Sequence, residues 1–263
     1  MLRALILTMV LIAGFAAPAA AQEFRRFLLP VSIGGELRGA NGAVWRDLFT
    51  VANVSQMPLR FGTDIRPGIA CGNGPCVPEI PAGEAFNVPL ALDFPRRVPA
   101  VLFHVRSDSA RPVGLSLRIS SRPDDLGTQL PIVSEEEFRT GVASLMIVHT
   151  SDERYRTLLR LYDPDAVPGR ALRVRAYALF TGRLVADRVI ALSVPEQPVA
   201  ETPFYPGYAE VAIDQAFVFD TTVRAGAPLR LEVEPVADGQ RFWAMATMTS
   251  NATNQFLLVT PEP

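Results

Sequence analysis

The sequence predicts an all-β protein of two immunoglobulin-like β-sandwich domains with at most one or two short helical turns. Proline (23 residues) and glycine (18 residues) interrupt the chain at short intervals. The runs between them are rich in Val, Leu, Phe and Thr, which is typical of strands. A phrase that starts with an aromatic residue and ends with Asn or Asp also recurs. Many short strands separated by turns favour a sandwich over βαβ units.

Residues 1–21 have the pattern of an export signal. Arg3 supplies the positive charge, residues 5–15 form the apolar core, and residues 17–21 provide the small side chains of a cleavage site. The apolar run is shorter than the roughly 20 residues that a membrane-spanning helix needs. We therefore expect cleavage after Ala21, a secreted or periplasmic protein, and no membrane span in the mature chain.

The composition excludes several kinds of chemistry and partner. The formal net charge is −2, too close to neutral to indicate a nucleic-acid partner. All 25 basic residues are arginine and the sequence has no lysine. The chain therefore has no lysine for a Schiff base, a Walker A motif or a Ser-Lys dyad.

The two cysteines, Cys71 and Cys76, lie close together in the sequence. In an exported protein such a pair predicts a disulfide, here a small ring that closes the tip of a loop. The spacing does not fit the C-x-x-C redox motif. A metal site is not expected either, because neither a histidine nor a second cysteine pair stands nearby.

The predicted domains cover residues 22–122 and 128–263, with a polar connection between them. Within the second domain, a Pro-rich loop at 194–207 is expected to cross between the sheets. Ser134 followed by three glutamates has the form of a capping box and predicts one helical turn. Residues 208–219 fit either a helix or a strand. The predicted strands cover 27–33, 44–53, 58–63, 85–91, 100–107, 112–120, 143–149, 155–162, 171–178, 184–194, 229–235, 241–250 and 255–260.

The recurring phrase places an aromatic residue eight positions before an Asn or Asp. An even separation puts both side chains on the same face of a strand. We expect the ring to pack between the sheets and the Asn or Asp to bond to its own backbone and start a turn. In the alternative interpretation, the rings are exposed and stack on a sugar. The three pairs are Trp45 with Asn53, Tyr155 with Asp163, and Trp243 with Asn251.

Several stretches together resemble an uncharacterised group of secreted β-sandwich proteins from soil bacteria such as the acidobacteria. The stretches are 39–48 (GANGAVWRDL), 129–133 (QLPIV), 138–141 (FRTG), 155–164 (YRTLLRLYDP), 241–244 (RFWA) and 250–253 (SNAT). The group usually carries a threonine between the Arg and the Asp of the first phrase, whereas here Arg46 adjoins Asp47. The resemblance covers most of the mature chain and implies a secreted all-β protein without an assigned activity.

The sequence assigns no residue a catalytic, cofactor-binding or metal-binding role, and three groups of polar residues have simpler explanations. His104 and His149 each lie in an apolar run, which favours a structural role. Glu135–Glu137 would need Asp124 or Asp125 across a cleft to act as a carboxylate pair. Asp163 and Asp165, with Asp152 and Glu153, would offer oxygen ligands to calcium, but a turn explains their spacing equally well.

These observations predict an exported, non-catalytic module that binds, adheres or provides structural support in the cell envelope. Its expected partner is an unknown envelope protein or glycan. A carbohydrate-binding module that uses exposed Trp45, Tyr155 or Trp243 is the alternative. A hydrolase is a further alternative, and it would require His104 or His149 in a cleft beside a serine or a carboxylate.

Overall fold

The structure is a computed structural model that describes residues 24–31, 33, 36–39, 42–56, 58–60, 79–88, 100–106, 113–121, 127–148, 154–197, 203–217 and 226–262. Within these ranges the protein is all-β: strands form antiparallel sheets, and helical structure is limited to two single turns. None of the described helices has the length and apolar character needed to cross a membrane. The predicted export signal and the predicted Cys71–Cys76 disulfide lie outside the described residues.

The N-terminal half contributes ten strands, most of them in two sheets. A three-stranded sheet has the order β10-β1-β7, and a larger sheet has the order β2-β3-β8-β9, with β6 also paired to β3. Strands β4 and β5 pair only with each other. The bounds are β1 Phe24–Leu29, β2 Glu36–Arg38, β3 Val44–Asn53, β4 Leu59–Arg60, β5 Glu79–Ile80, β6 Ala85–Val88, β7 Val101–Arg106, β8 Val113–Ser120, β9 Thr128–Leu130 and β10 Val133–Ser134.

These two sheets pack face to face and form what we call the N-terminal sandwich. Leu29 and Phe103, from the three-stranded sheet, belong to the same buried cluster as Phe49 and Leu117 from the larger sheet. The rings of Phe49 and Phe103 meet edge to face, with centroids 4.9 Å apart, an arrangement that aromatic pairs favour. Alternation along β3 explains this packing, because Phe49, Val51 and Asn53 are all buried on one face.

The C-terminal half forms a second pair of four-stranded sheets, the C-terminal sandwich. The outer sheet has the order β11-β16-β13-β14, and the inner sheet has the order β15-β12-β17-β18. Buried side chains from both sheets, including Leu145, Leu159, Val174 and Leu231, form one continuous core. The bounds are β11 Ala143–Val148, β12 Tyr155–Asp163, β13 Ala171–Ala178, β14 Leu184–Ala191, β15 Gly207–Ala212, β16 Pro228–Pro235, β17 Trp243–Ser250 and β18 Phe256–Val259.

The three-stranded sheet of the N-terminal sandwich is covered on both faces. Leu29 faces the larger sheet, whereas its neighbour Leu28 belongs to a separate buried cluster with Tyr162, Trp243 and Met245 of the inner sheet. Adjacent residues of a strand point to opposite faces, so the cluster joins the two sandwiches directly. The inner sheet of the C-terminal sandwich therefore packs directly against the three-stranded sheet.

The crossover loop reinforces this junction. The Gln197 side chain accepts hydrogen bonds from the backbone N–H groups of Phe204 and Tyr205, at 2.9 and 3.0 Å, and donates to the Tyr205 carbonyl oxygen. Phe204 and Tyr205 are buried against Val101 of β7. The Phe204 carbonyl oxygen also accepts from the Leu102 N–H, at 2.7 Å, so the loop covers the edge strand of the three-stranded sheet.

Most described strands agree with the sequence prediction, and β3 and β13 agree in both bounds. Glu135–Glu137 forms one turn of 3-10 helix, and its capping box is present. The ambiguous segment at 208–219 contains both alternatives, since β15 is followed by a single α turn, Ile213–Ala216.

The structure places residues 128–134 differently from the predicted domain assignment. We assigned them to the second domain, yet β9 pairs with β8 and β10 pairs with β1 in the N-terminal sandwich. These strands are only three and two residues long, so they carry no alternation from which a partner can be inferred. The division into two domains itself stays a prediction.

Candidate functional site

A cavity of about 170 Å³ lies between the N-terminal sandwich and the inner sheet of the C-terminal sandwich. Its walls come from the beginning of the chain, from β3, β8 and β9, and from β12, β17 and β18. Both halves of the protein therefore build it. The lining residues are Val31, Ile33, Leu37, Trp45, Ile119, Leu130, Arg156, Leu158, Arg160, Thr247, Thr249 and Phe256.

Alternation along β12 explains why one wall of the cavity is polar. Leu159 and Leu161 point into the core of the C-terminal sandwich, so Arg156, Leu158 and Arg160 point to the opposite face, toward the cavity. β17 lies next to β12 and contributes two threonines to the same wall. In the ladder, Thr249 is directly opposite Arg156 and Thr247 is opposite Leu158.

The wall from the N-terminal sandwich is apolar, and its Trp45 ring meets the ring of Phe256 on the inner sheet. The Trp45 and Phe256 rings have centroids 5.9 Å apart and an interplanar angle of 56°, so a strand from each sandwich contributes one ring. Gly39 lies directly against the indole: a Cβ atom at this position would be 2.4 Å from Trp45 Nε1. Glycine is therefore required at position 39 to leave room for the Trp45 ring.

The charge of Arg160 is compensated by an ion pair within the protein. Its Nε donates a hydrogen bond to Glu210 Oε1 at 2.6 Å, and its Nη1 donates to the Thr247 hydroxyl at 3.0 Å. Glu210 is the residue opposite Arg160 on the neighbouring strand β15. This arginine therefore brings no uncompensated charge to the cavity.

Arg156, four residues earlier on the same face of β12, has a different environment. Its Nη1 donates to the amide oxygen of Asn251, and within the described part of the chain it makes no other side-chain hydrogen bond and no ion pair. Partial burial disfavours the charged form and lowers the pKa of the Arg156 guanidinium below its ordinary value. The Thr249 hydroxyl opposite it also has no hydrogen-bond partner among the described residues.

The three aromatic residues proposed for ligand stacking lie in different environments. Trp45 is half-buried and lines the cavity. Trp243 is only 5% exposed and packs on Tyr162, with ring centroids 6.0 Å apart, so its role here is in packing between the sandwiches. Tyr155 is 45% exposed and is not among the residues that line the cavity.

The acidic residues weighed for calcium or for acid–base chemistry belong to an ionic cluster. Arg170 Nη1 is 3.1 Å from Asp163 Oδ2, and Arg241 pairs with both Asp165 and Glu135. Within the described part of the chain, no group of three or more His, Cys, Asp or Glu residues is arranged to hold a metal ion. Asp124, Asp125, Asp152 and Glu153 lie outside the described residues. The ionic cluster consists of Arg26, Glu135, Asp163, Asp165, Arg170 and Arg241.

The arginines change the protonation of these acids in different directions. The hydrogen bond from Arg26, aided by Arg241, lowers the pKa of Glu135 to about 2. Burial opposes ionisation of Asp165, but Arg241, Arg170 and Arg26 together outweigh it, and the pKa of Asp165 lies below its ordinary value. Burial dominates at Asp163 and raises its pKa. The cluster thus joins β1 to the end of β12 through partly buried ion pairs.

Neither histidine is among the described residues that line the cavity. The backbone of His104 lies in β7, opposite Arg26 of β1, and His149 lies outside the described residues. The cavity itself was not predicted. The alternation of Arg156 and Arg160 with buried leucines in β12 is a signal from which a polar outer face could be predicted, but nothing in the sequence indicates that a second sandwich covers this face.

Comparison of the chain with protein-family models, with curated proteins and with solved structures gave no match. The site is therefore interpreted from its own chemistry: an apolar cavity contains the contacting rings of Trp45 and Phe256 and a guanidinium, Arg156, that has no carboxylate partner among the described residues.

Proposed function

We propose that this protein is an exported, non-catalytic binding protein whose ligand occupies the cavity between the two sandwiches. One observation carries the proposal: an apolar cavity contains a partly buried arginine, Arg156, without a compensating carboxylate in the described part of the chain. A cation in apolar surroundings is unfavourable unless a negatively charged partner compensates its charge. Apolar concave sites with a few converging polar groups are typical of ligand binding.

The groups in the cavity favour binding over catalysis. Arginine stays protonated at ordinary pH, so it positions an anion well but is a poor general acid or base. The lining is made of two arginines, two threonines, Trp45, Phe256 and aliphatic residues. Among the described lining residues there is no histidine, serine or carboxylate, so this site gives no support to a hydrolase centred on His104 or His149.

The export signal at residues 1–21 supports a location in the periplasm or outside the cell, where the partner would be an envelope protein, a glycan or a small molecule.

For the fold we propose an immunoglobulin-like arrangement in the C-terminal sandwich in which the first and the last long strand have exchanged sheets. An immunoglobulin domain places its last strand beside strand F, whereas here the first strand, β11, pairs with β16. The last long strand, β17, instead pairs with β12.

The experiment uses the mature chain and a set of ring-sized neutral, anionic and cationic compounds. Binding is monitored by NMR at the indole N–H resonances of the two tryptophans, which a Trp45→Phe variant assigns. We expect at least one compound to shift the Trp45 resonance in a saturable way with little effect on Trp243. The Leu158→Trp variant, which fills the cavity, should stay folded and lose this response. If no compound moves the Trp45 resonance, or if Leu158→Trp responds like the wild type, the proposal fails.

Carbohydrate binding is a second candidate, and the position of Trp45 in the cavity wall favours it. An indole face can stack on the apolar face of a sugar ring. Titration with neutral monosaccharides under the same conditions tests this candidate. A saturable shift of the Trp45 resonance with a neutral sugar would support it.

A further inference from the structure

The cavity carries a more specific inference, which rests on the proposed function. We infer that its ligand is a small, ring-sized carboxylate: the carboxylate pairs with the Arg156 guanidinium and the Thr249 hydroxyl, and the apolar body packs against Trp45 and Phe256. Each part of this inference has its own observation.

The charge of the ligand follows from the contrast between the two arginines of the cavity. Arg160 has Glu210 at 2.6 Å, whereas Arg156 has only the neutral amide oxygen of Asn251. Both arginines lie on the same face of β12, four residues apart. The protein therefore supplies an anion to one of them and leaves the other without one among the described residues, so the missing negative charge is expected from the ligand.

The shape of the anionic group follows from which guanidinium nitrogens are occupied. Asn251 takes Nη1 of Arg156 and leaves Nε and Nη2, the two parallel donors that match a planar carboxylate. The same protein uses this geometry elsewhere: Arg173 Nε and Nη2 donate to the two carboxylate oxygens of Asp187, at 2.9 and 2.6 Å. Thr249, directly across the ladder from Arg156, offers a third donor.

The size and polarity of the cavity limit the rest of the ligand. An apolar protein cavity of about 150 Å³ holds a benzene molecule, so the 170 Å³ here suits a six-membered ring with a small substituent. A phosphate ester would bring a second negative charge, for which the described lining residues offer no further unpaired cation. A sugar would bury several hydroxyl groups against Val31, Ile33 and Leu37, which cannot bond to them.

The test is a calorimetric and NMR titration of the mature chain with benzoate and cyclohexanecarboxylate. The neutral comparison compounds are benzamide and benzyl alcohol, and inorganic phosphate and glucose are the other probes. We expect both carboxylates to bind at least about tenfold more tightly than the neutral analogues, as is usual for a charge-assisted, two-point hydrogen bond. The Trp45 indole resonance should report the same saturation curve.

Variants assign the preference to the inferred contacts. Arg156→Gln should remove the preference for benzoate over benzyl alcohol while leaving the affinity for benzyl alcohol nearly unchanged. Thr249→Val should weaken benzoate binding severalfold, and it provides a second test if Arg156→Gln does not fold. Arg173→Gln, which removes an arginine of the outer sheet, is the matched control and should bind both compounds like the wild type.

The outcomes separate this inference from the proposed function. If neutral ring compounds bind in the cavity as tightly as the carboxylates, or if Arg156→Gln keeps the preference, the carboxylate inference is overturned and the cavity remains a binding site. If phosphate or glucose binds more tightly than benzoate, the inference is also overturned. If no compound of any charge binds, both the inference and the proposed function fail.

Discussion

The hydroxyl of Tyr162 donates a hydrogen bond to the carbonyl oxygen of Pro30, and so joins β12 of the C-terminal sandwich to the end of β1 in the N-terminal one. Both residues are buried, and the Tyr162 ring packs against Trp243. Burial raises the pKa of the Tyr162 phenol, so the hydroxyl keeps its proton and remains a donor at physiological pH.

Replacing Tyr162 by Phe should destabilise the protein by about 1–3 kcal/mol. The change removes one hydroxyl and leaves the buried Pro30 carbonyl oxygen without this donor. Urea unfolding measures the effect as a lower midpoint. Tyr155→Phe is the matched control because Tyr155 is exposed. It should leave the free energy of unfolding within about 0.5 kcal/mol of the wild type. Equal midpoints for the two variants would contradict this prediction.

The ionic cluster should make folding stability depend on pH in the acid range. Arg26 and Arg241 hold the pKa of Glu135 at about 2, below its ordinary value of 4.5. A carboxyl group with a depressed pKa in the folded state contributes stability that is complete above pH 4.5 and is lost as the pH falls toward 2. The Glu135→Gln variant should therefore be less stable than the wild type near neutral pH, and the difference should shrink toward about pH 2.

Urea midpoints of both proteins across this acid range measure the effect. Arg241→Gln removes one of the two cations that contact Glu135, and it should also flatten the difference between acid and neutral pH. A stability gap between wild type and Glu135→Gln that stays constant from pH 5 to pH 2 would count against the assigned role of the arginines.

Alanine at position 39 should displace the Trp45 indole. The new Cβ would lie 2.4 Å from Trp45 Nε1 and 2.8 Å from Cδ1, closer than van der Waals contact allows. We expect a loss of about 1–3 kcal/mol and a change in the tryptophan emission spectrum. Gly141→Ala is the control, since a Cβ there would meet nothing within 4 Å, and it should leave the emission unchanged. An unchanged spectrum in Gly39→Ala would show that the ring does not occupy this position.

Gly127→Ala should be more damaging than an alanine at another glycine of the same backbone conformation. Gly127 has a φ of +74°, and its Cβ would lie 2.7 Å from the Ile119 carbonyl oxygen in β8. Gly182, with a φ of +66°, has open space around it. The left-handed conformation alone costs alanine about 1–2 kcal/mol, which is the loss expected for Gly182→Ala.

Gly127→Ala should lose about 3 kcal/mol or more because the backbone contact adds to the conformational cost. Thermal unfolding of the two variants gives the comparison. Similar losses for both would mean that the chain around Ile119 moves without cost.

The recurring aromatic phrase shows how far alternation predicts local structure. In the first two copies the Asn or Asp bonds to its own backbone as expected: Asn53 Oδ1 accepts from the Ser55 N–H and Asp163 Oδ1 from the Asp165 N–H. In the third copy the amide oxygen of Asn251 accepts a hydrogen bond from Arg156, a residue on a different strand. A side chain that serves a site in tertiary structure cannot be distinguished from a turn residue by its spacing alone.

The predicted role of the aromatic residues was only partly correct for the same reason. Trp243 is buried as expected, but Tyr155 is exposed at the first position of β12, where the neighbouring sheet gives it no cover. Alternation identifies which side chains share a face, and it does not tell what lies above that face. The cavity depends on that covering, because its walls come from strands more than a hundred residues apart, such as β3 and β12.

The three-stranded sheet with apolar contacts on both faces has a practical consequence for work on this protein. A cut after β8 would separate Leu28, in the N-terminal fragment, from Tyr162, Trp243 and Met245, in the C-terminal fragment. These four side chains pack together in the intact protein. Each fragment would then expose a large apolar surface to water and would tend to aggregate. Because this buried cluster joins the two sandwiches, we expect the intact chain to melt in one calorimetric event.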